Sequence, residues 1–203
     1  MNKKIPKQDL LYIVLLAACC ALIVYAFFGS ILKTFVKDNN DTSNAIDIDD
    51  RQDVNAMHAS QEVIERIAFY EGFSKNAVWD INHYSIGFGS TACSKNETIS
   101  YQDAILRLLD DVQLMESSVR DFALTNNLML NQNQFDALVS FCHNLGYKAL
   151  DKYNDSTLVK MIKSGEYNEQ DLIDEWCLFC KAGGKEMKAL KERRLWEANL
   201  FLR

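Results

Sequence analysis

The chain has 203 residues, 48% of them hydrophobic, so it is long enough for one ordinary domain and a smaller additional segment. Its formal net charge is −6 at pH 7, and residues 38–203 carry 17 basic against 27 acidic side chains. This balance argues against a nucleic-acid-binding domain, which would present a basic surface.

The first predicted element is a transmembrane helix at residues 10–32. This stretch reads LLYIVLLAACCALIVYAFFGSIL and contains no charged side chain. A helix that crosses a bilayer needs about 20 apolar residues, and the stretch lacks the polar stripe of a soluble amphipathic helix. Three lysines precede it and two follow, so the positive-inside rule places the N-terminus in the cytoplasm and the rest of the chain on the outer, periplasmic or extracellular, face.

Two other interpretations of this stretch remain open. A cleaved signal peptide would also begin with lysines, although its apolar region is usually shorter and no small-x-small cleavage site follows here. An anchor that later leaves the bilayer would be favoured by the alanines and Gly29. The leucine, isoleucine, valine and phenylalanine content favours a retained single-pass anchor over both.

Residues 38–58 are predicted to form a flexible acidic linker. They include six aspartates, one arginine and almost no large apolar side chain. Such a segment cannot bury enough surface to fold alone. The predicted organisation is therefore a cytoplasmic stub and anchor at 1–37, a linker at 38–58 and a globular domain at 59–203.

The globular domain opens with a helix and a hairpin. Ser60 can cap a helix that continues through Tyr70, with Glu71 at its C-terminal end and Gly72 just past it. The following residues, 78–90, read VWDINHYSIGFGS, in which β-forming side chains flank a turn. This pattern predicts a small β-hairpin directly after the helix.

The rest of the domain is predicted to be helical. Ser100 begins a helix that breaks before Asn126, and Asn131 caps a strongly apolar helix, the expected centre of the bundle, which ends at Gly146. Further helices are predicted at about 156–163, 169–181 and 186–201. The predicted fold class is therefore α+β, mainly helical with a small hairpin lobe, preceded by one transmembrane helix.

Two carboxyl groups in this domain are candidates for glycosidic-bond chemistry, which needs an acid for the leaving oxygen and a second carboxylate. Glu71 ends a helix, where the partial negative charge is expected to raise its pKa and suit it to the acid's role. Asp80 lies in the hairpin that follows, and Ser85 on the returning strand can hold the attacking water. Taken alone, these residues also fit ordinary structural roles.

Three segments resemble one known family in the family's order. FYEGFSKNAVWDINHYSIGFGS is similar to the catalytic motif of phage-type lysozymes, glycoside hydrolase family 24. LNQNQFDALVSFCHNLG, followed by Ser156, Thr157 and Leu158, resembles the family's central helix and substrate-facing turn. WCLFCKAGGKEMKALKERRLWEANLF resembles its C-terminal pattern of tryptophan, double glycine, double arginine and glutamate. The resemblance covers residues 60–203.

The resemblance implies a lysozyme-like fold that hydrolyses the β-1,4 bond between N-acetylmuramic acid and N-acetylglucosamine in bacterial peptidoglycan, without cofactor or metal. By position, Glu71 would be the general acid, Asp80 the base or electrostatic partner, and Ser85 the counterpart of the usual threonine. Asn144 would line the sugar cleft. Trp79, next to Asp80, is the aromatic side chain we expect to contact sugar, and the catalytic domain is expected to be monomeric.

The sequence departs from the family pattern in the hairpin. Four residues separate Asp80 from Ser85 where the family has five, and the frequent Gly-His after the strand is Gly89-Ser90 here. Such a change can turn side chains to the other face of a hairpin. A non-catalytic module that binds glycan or protein therefore remains an alternative to a muramidase. A lytic transglycosylase, which needs an acid but no separate base, is a second alternative, although Asp80 argues against it.

Cysteines, histidines and a basic segment complete the candidates. Cys93 is predicted to form a disulfide with Cys177 or Cys180 outside the cell, whereas Cys142, on the most apolar helix, is expected to be a buried thiol. The pair at 177 and 180 fits zinc spacing poorly. The histidines are expected at the surface or in packing, and the basic residues of 181–194 either meet substrate carboxylates or form a solvated helix face.

Overall fold

The computed structural model describes residues 53–80 and 82–203, and all statements below concern these residues. They form a mainly helical domain with two small antiparallel sheets, which confirms the predicted α+β class with a small hairpin lobe. The helices are α1 (Gln61–Glu71), α2 (Tyr101–Thr125), α3 (Gln132–Leu145), α4 (Ala149–Lys152), α5 (Thr157–Ser164), α6 (Glu169–Cys177) and α7 (Lys188–Phe201). The strands are β1 (Ser74–Asp80), β2 (His83–Gly87), β3 (Ser90–Thr91), β4 (Lys181–Ala182) and β5 (Lys185–Glu186).

The N-terminal end of the described chain packs against the domain. A 3₁₀ turn at Val54–Ala56 contacts α2, and both Val54 and Met57 are buried. The last part of the predicted linker therefore contributes apolar side chains to the core. The predicted membrane anchor at 10–32 lies outside the described residues, and within them no helix is both long and apolar enough to cross a bilayer.

The helix starts follow the capping residues in the sequence. The Ser60 hydroxyl accepts a hydrogen bond from the Val63 amide, and Ser100 does the same for Asp103. Asn131 and Gln134 form a reciprocal capping box at the start of α3. These contacts satisfy amides that would otherwise be unpaired at the first turn, which is why the three predicted starts are confirmed.

Helix α3 is the centre of the domain, as its apolar sequence predicted. It packs against α2 on one side and α7 on the other. Its residues Phe135, Leu138 and Phe141 are completely buried. Trp176 of α6 is equally buried and packs edge-on against Phe141, with ring centroids 5.5 Å apart, so it belongs to the core.

The second half of the domain is less helical than predicted. Helix α6 ends at Cys177 and α7 begins at Lys188, and the residues between include the β4–β5 hairpin. Its turn contains Gly183 and Gly184, both with positive φ (56° and 78°), the backbone signature of a two-residue hairpin turn. The double glycine therefore forms the turn of a hairpin that separates the two helices.

The predicted disulfide is not formed. Cys93, Cys177 and Cys180 are all free thiols, because Cys93 lies on the exposed loop after β3 whereas Cys180 is buried at the base of the β4–β5 hairpin. A disulfide needs the two Cα atoms within about 7 Å of each other. Cys142 is a fully buried thiol, as predicted, and burial raises its pKa to about 12.

Candidate active site

One cleft of about 270 Å³ lies between the end of α1 and the β1–β2 hairpin. Glu71, Asp80 and Ser85 all line it, together with Gly89. The three candidate catalytic side chains come from three different elements, α1, β1 and β2. The fold therefore brings together the residues that the sequence singled out for chemistry.

The register of the hairpin explains why Asp80 and Ser85 share a face. Asp80 pairs with His83 and Val78 pairs with Ser85, so Asp80 and Ser85 are diagonal cross-strand neighbours. Residues two apart on a strand point to the same side, and diagonal neighbours lie on one face. The shorter turn therefore leaves both side chains directed at the cleft.

Glu71 is held by two basic side chains that reach it from the helical side. Arg193 of α7 donates a hydrogen bond from Nη1 to Glu71 Oε1 over 2.7 Å. His143, in the last turn of α3, places Nδ1 3.4 Å from the same oxygen, within ion-pairing distance but without hydrogen-bond alignment. The Glu71 side chain itself is 23% exposed, so one part of the carboxyl still faces the cleft.

The pKa of Glu71 is set by a competition between burial and these neighbours. Burial raises the pKa, but His143 and Arg193 together lower it by more, and the result lies below the ordinary value of 4.5. The raised pKa predicted from the helix end is therefore wrong for the ligand-free protein. A helix C-terminus contributes only a partial charge, whereas Arg193 brings a full charge in direct contact.

Arg193 is in turn anchored by a buried ionic cluster. Its Nε donates to Glu197 Oε1 over 3.2 Å, and its Nη2 donates to the backbone carbonyl of Ser140 over 3.0 Å. Glu197 is fully buried and accepts further hydrogen bonds from Ser140, Trp176 and Arg194. The Arg193 guanidinium is therefore held in place by Glu197 and Ser140, independently of its contact with Glu71.

Gly89 lines the cleft on the side of the small sheet, and Ser90 begins the strand that follows it. A Cβ atom on Gly89 would lie 3.2 Å from Glu71 Oε2, and its φ of +91° is one that other residues rarely adopt. Ser90, where the resembled family has histidine, donates from its hydroxyl to Asp111 Oδ2 over 2.6 Å. This bond links the small sheet to α2. It therefore helps to hold the neighbouring Gly89 in its position facing Glu71.

Residues 68–197 match the family described as phage lysozyme, which is more than half of the chain. The chain belongs to the phage lysozyme family. The matched segment contains the cleft residues together with His143, Arg193 and Glu197.

Individual relatives agree with this assignment. The endolysin of Salmonella phage P22 is 31% identical over 153 residues, covering 72% of this chain and 99% of that protein. The endolysin of Bacillus phage B103 is 34% identical over 151 residues, covering 72% of this chain but 54% of that protein. The chain thus spans about half the length of this second relative.

The chain is also similar in fold to a solved structure. The muramidase domain of SpmX from Asticaccaulis excentricus superposes with a TM-score of 0.60 at 26% identity, covering 72% of this chain and 99% of that one. The helical domain with its small sheet is therefore the same architecture in both.

Two predicted substrate contacts of this phage lysozyme family member lie outside the residues that line the cleft. Trp79 is 59% exposed and packs edge-on against Tyr84, its cross-strand partner, with ring centroids 5.1 Å apart. As neighbours of Asp80 and Ser85, these two rings occupy the opposite face of the hairpin. Asn144 is half-buried in the last turn of α3, one residue from His143.

Sequence reasoning missed the residues that surround Glu71 on the helical side. Arg193 was grouped with a basic surface segment, but its side chain is only 3% exposed. His143 was expected to have a packing role. The double arginine and the end of the central helix both belong to the family pattern, so both residues carried a signal. The pattern does not show that either of them contacts Glu71.

Proposed function

We propose that this protein is a membrane-anchored muramidase that hydrolyses the β-1,4 bond between N-acetylmuramic acid and N-acetylglucosamine in peptidoglycan. The observation that carries the proposal is the convergence of Glu71, Asp80 and Ser85 on one cleft. Membership of the phage lysozyme family supports the reaction class. Bacterial peptidoglycan is the proposed substrate, and the catalytic domain acts as a monomer.

In the proposed reaction Glu71 is the general acid. Its Oε1 is occupied by Arg193, and its Oε2 faces Gly89 and the cleft, so Oε2 is the oxygen that presents a proton to the leaving glycosidic oxygen. The ligand-free carboxyl has a lowered pKa. A sugar chain that fills the cleft excludes water, and this desolvation favours the protonated form that the reaction needs.

Asp80 and Ser85 supply the other half of the reaction. Asp80 either removes a proton from the attacking water or stabilises the positive charge that develops on the sugar ring. Ser85, on the same face of the hairpin, positions that water through its hydroxyl. The glycosidic C–O bond breaks as Glu71 protonates its oxygen, and the water adds to the anomeric carbon. Asn144 is a proposed further contact to the sugar.

The decisive test compares the full-length wild-type protein with Glu71→Gln, in mild detergent, on isolated peptidoglycan. We expect release of reducing ends from the wild type and a loss of at least about a hundredfold in the variant, because a positioned general acid contributes that much. Glu62→Gln is the matched control, since Glu62 lies on the same helix with a side chain 61% exposed.

The reaction products distinguish a hydrolase from a lytic transglycosylase. Mass spectrometry should find hydrolysed reducing ends; 1,6-anhydro ends would instead assign a lytic transglycosylase. Equal and negligible rates for wild type and Glu71→Gln, with retained binding to peptidoglycan, would favour a non-catalytic glycan-binding module.

The proposed location is a single-pass membrane protein with its N-terminus in the cytoplasm and the domain on the outer face. The uncharged stretch at 10–32 and its flanking lysines support this. Cys93 is exposed and offers a probe. A membrane-impermeant maleimide should label Cys93 from the outer face of the membrane, with Cys93→Ser as the control. Recovery of the mature protein in the soluble fraction would contradict a retained anchor.

A further inference from the structure

The Glu71 carboxyl has a second basic neighbour that the proposed reaction does not use. His143 Nδ1 lies 3.4 Å from Glu71 Oε1, and the imidazole is 9% exposed. Within the described residues, Nδ1 is a buried polar atom without an aligned hydrogen-bond partner. Buried polar atoms are nearly always satisfied, so an unpaired one that faces an ionisable carboxyl needs an explanation.

The two basic groups meet at the same oxygen. Arg193 donates to Oε1 from α7, and His143 approaches Oε1 from α3. The other oxygen, Oε2, lies on the side of Gly89, where a Cβ atom would be 3.2 Å away. The carboxyl is therefore asymmetric: Oε1 is directed into the helical side, and Oε2 is directed at the hairpin.

The position of His143 in the fold makes it a rigid partner. It belongs to the last turn of α3, the most buried helix of the described domain, and the neighbouring Phe141 and Cys142 are completely buried. An imidazole held there can donate from Nδ1 to the carboxylate or accept from the protonated acid.

The charges that face the pair come from every side of it. Arg193 contributes a positive charge from α7, and Glu197 lies behind it in the buried cluster. Asp80 lines the same cleft from the hairpin, and Tyr70 precedes Glu71 on α1 with the Arg193 guanidinium 5.2 Å from its ring centroid. Glu197 pairs with both Arg193 and Arg194, so Arg193 and His143 are the two basic groups that face Glu71 Oε1.

We propose that His143 is a positioning residue for Glu71: together with Arg193 it faces Oε1, and so leaves Oε2 as the oxygen that carries the proton toward the glycosidic bond. This inference rests on the proposed function of Glu71. Arg193 contacts Oε1 from α7 and His143 approaches it from α3, so side chains from two helices face this oxygen. His143 also helps set the pH at which Glu71 carries a proton.

The first experiment measures this coupling without any catalysis. In the full-length protein with ¹³Cδ-labelled glutamate, the Glu71 signal is assigned by its absence in Glu71→Gln and followed over pH. We expect the pKa of Glu71 to rise in His143→Phe, because a ring that lowers it is replaced by one that cannot. His58→Phe, remote from Glu71 and paired with Glu116, should leave it unchanged.

The second experiment measures the catalytic consequence. His143→Phe should lower kcat on the order of tenfold with little change in KM, and should move the basic limb of the pH profile to higher pH. His143→Asn places an amide nitrogen close to the position of Nδ1, so it should recover most of kcat. Melting temperatures of the variants identify any general loss of folding.

The outcomes are distinct from those of the proposed function. An unchanged Glu71 pKa in His143→Phe overturns the inference, whether or not the protein cleaves peptidoglycan. An active wild type whose pH profile and kcat are the same in His143→Phe also overturns it. An inactive wild type in which the pKa of Glu71 still responds to His143 would leave the pairing established and reject the muramidase.

Discussion

The two walls of the cleft are built in different ways. On the helical side, Glu71 contacts Arg193, which is anchored by the fully buried Glu197. On the hairpin side, Asp80 and Ser85 stand on short strands whose outer residues are largely exposed, and their placement depends on backbone register. The acid is thus oriented by buried charges, whereas its partner is oriented by strand geometry. Changes to the first wall should cost stability, and changes to the second should alter activity alone.

The largest effect is expected from Glu197→Gln. The substitution removes the charge that pairs with Arg193 and Arg194, both nearly fully buried. Breaking a buried ion pair on one side costs about 3 to 5 kcal/mol. Equilibrium unfolding in urea should therefore show a correspondingly lower free energy of unfolding, with activity lost as the Arg193 contact to Glu71 loosens.

The matched control for this prediction is Glu192→Gln on the same helix. Glu192 is exposed and faces Lys188 over 3.7 Å, so its removal should change the free energy of unfolding by less than about 0.5 kcal/mol. Similar losses in both variants would contradict the role assigned to the buried cluster.

The next effect is a pH dependence from Asp136, which supports the helix that carries Glu71. Its Oδ1 accepts hydrogen bonds from the Ser60 amide (3.0 Å) and from Gln132 (2.9 Å), yet burial raises its pKa from 3.8 to about 6. A raised carboxyl pKa stabilises the fold at low pH. This contribution is lost as pH rises from about 4 through 6, by on the order of 3 kcal/mol.

Asp136→Asn tests the sign of this dependence. The amide oxygen can keep both hydrogen bonds and carries no charge, so the variant should match the wild type near pH 4 and be more stable above pH 6. Urea unfolding at pH 4 and pH 7.5 measures the difference, with the exposed Asp110→Asn as control. A wild type that gains stability relative to Asp136→Asn as pH rises would refute the prediction.

Gly89→Ala probes the boundary between the two walls. Its positive φ alone should cost about 1 to 2 kcal/mol of stability. The added Cβ also meets Glu71 Oε2 at 3.2 Å and should displace the acid, lowering kcat/KM on the order of tenfold or more.

Gly165→Ala separates these two contributions. Gly165 has a φ of +67° and open space around its Cβ position, so the control should lose similar stability and keep full activity. Equal activity in both variants would show that Gly89 is present for its backbone conformation alone.

Local sequence signals predicted where the helices of this domain begin. The arrangement of its active site depends instead on contacts between residues that are far apart in the sequence. Ser60, Ser100 and Asn131 each mark a helix start because a cap acts within three residues. Glu71 and Arg193 are 122 positions apart, and no local pattern links them. The predicted rise in the pKa of Glu71 was wrong for that reason. Arg193 was counted with a basic segment expected to meet substrate carboxylates or solvent, although its side chain is buried.

The hairpin shows the same limit at shorter range. Its existence was predictable from the alternation around residues 82 and 83, but β1 begins at Ser74, and its register shifts between Ser74 and Val78. A shift of this kind depends on the pairing partner, Gly87 or Ser85, and not on the strand's own residues. Which side chains face the cleft therefore became clear only from the pairing.

Trp79→Ala is the smallest expected effect and tests the hairpin wall directly. If Trp79 contacts sugar, as its place beside Asp80 predicted, the variant should have a higher KM. The structure instead pairs Trp79 with Tyr84 on the face opposite the cleft. We therefore expect kcat/KM on peptidoglycan to stay within about twofold of the wild type, the scale of an ordinary surface substitution. Ser85→Ala is the comparison, because Ser85 lines the cleft from the adjoining strand and its removal should lower kcat. A larger loss for Trp79→Ala than for Ser85→Ala would mean that the glycan extends around the hairpin and contacts its outer face.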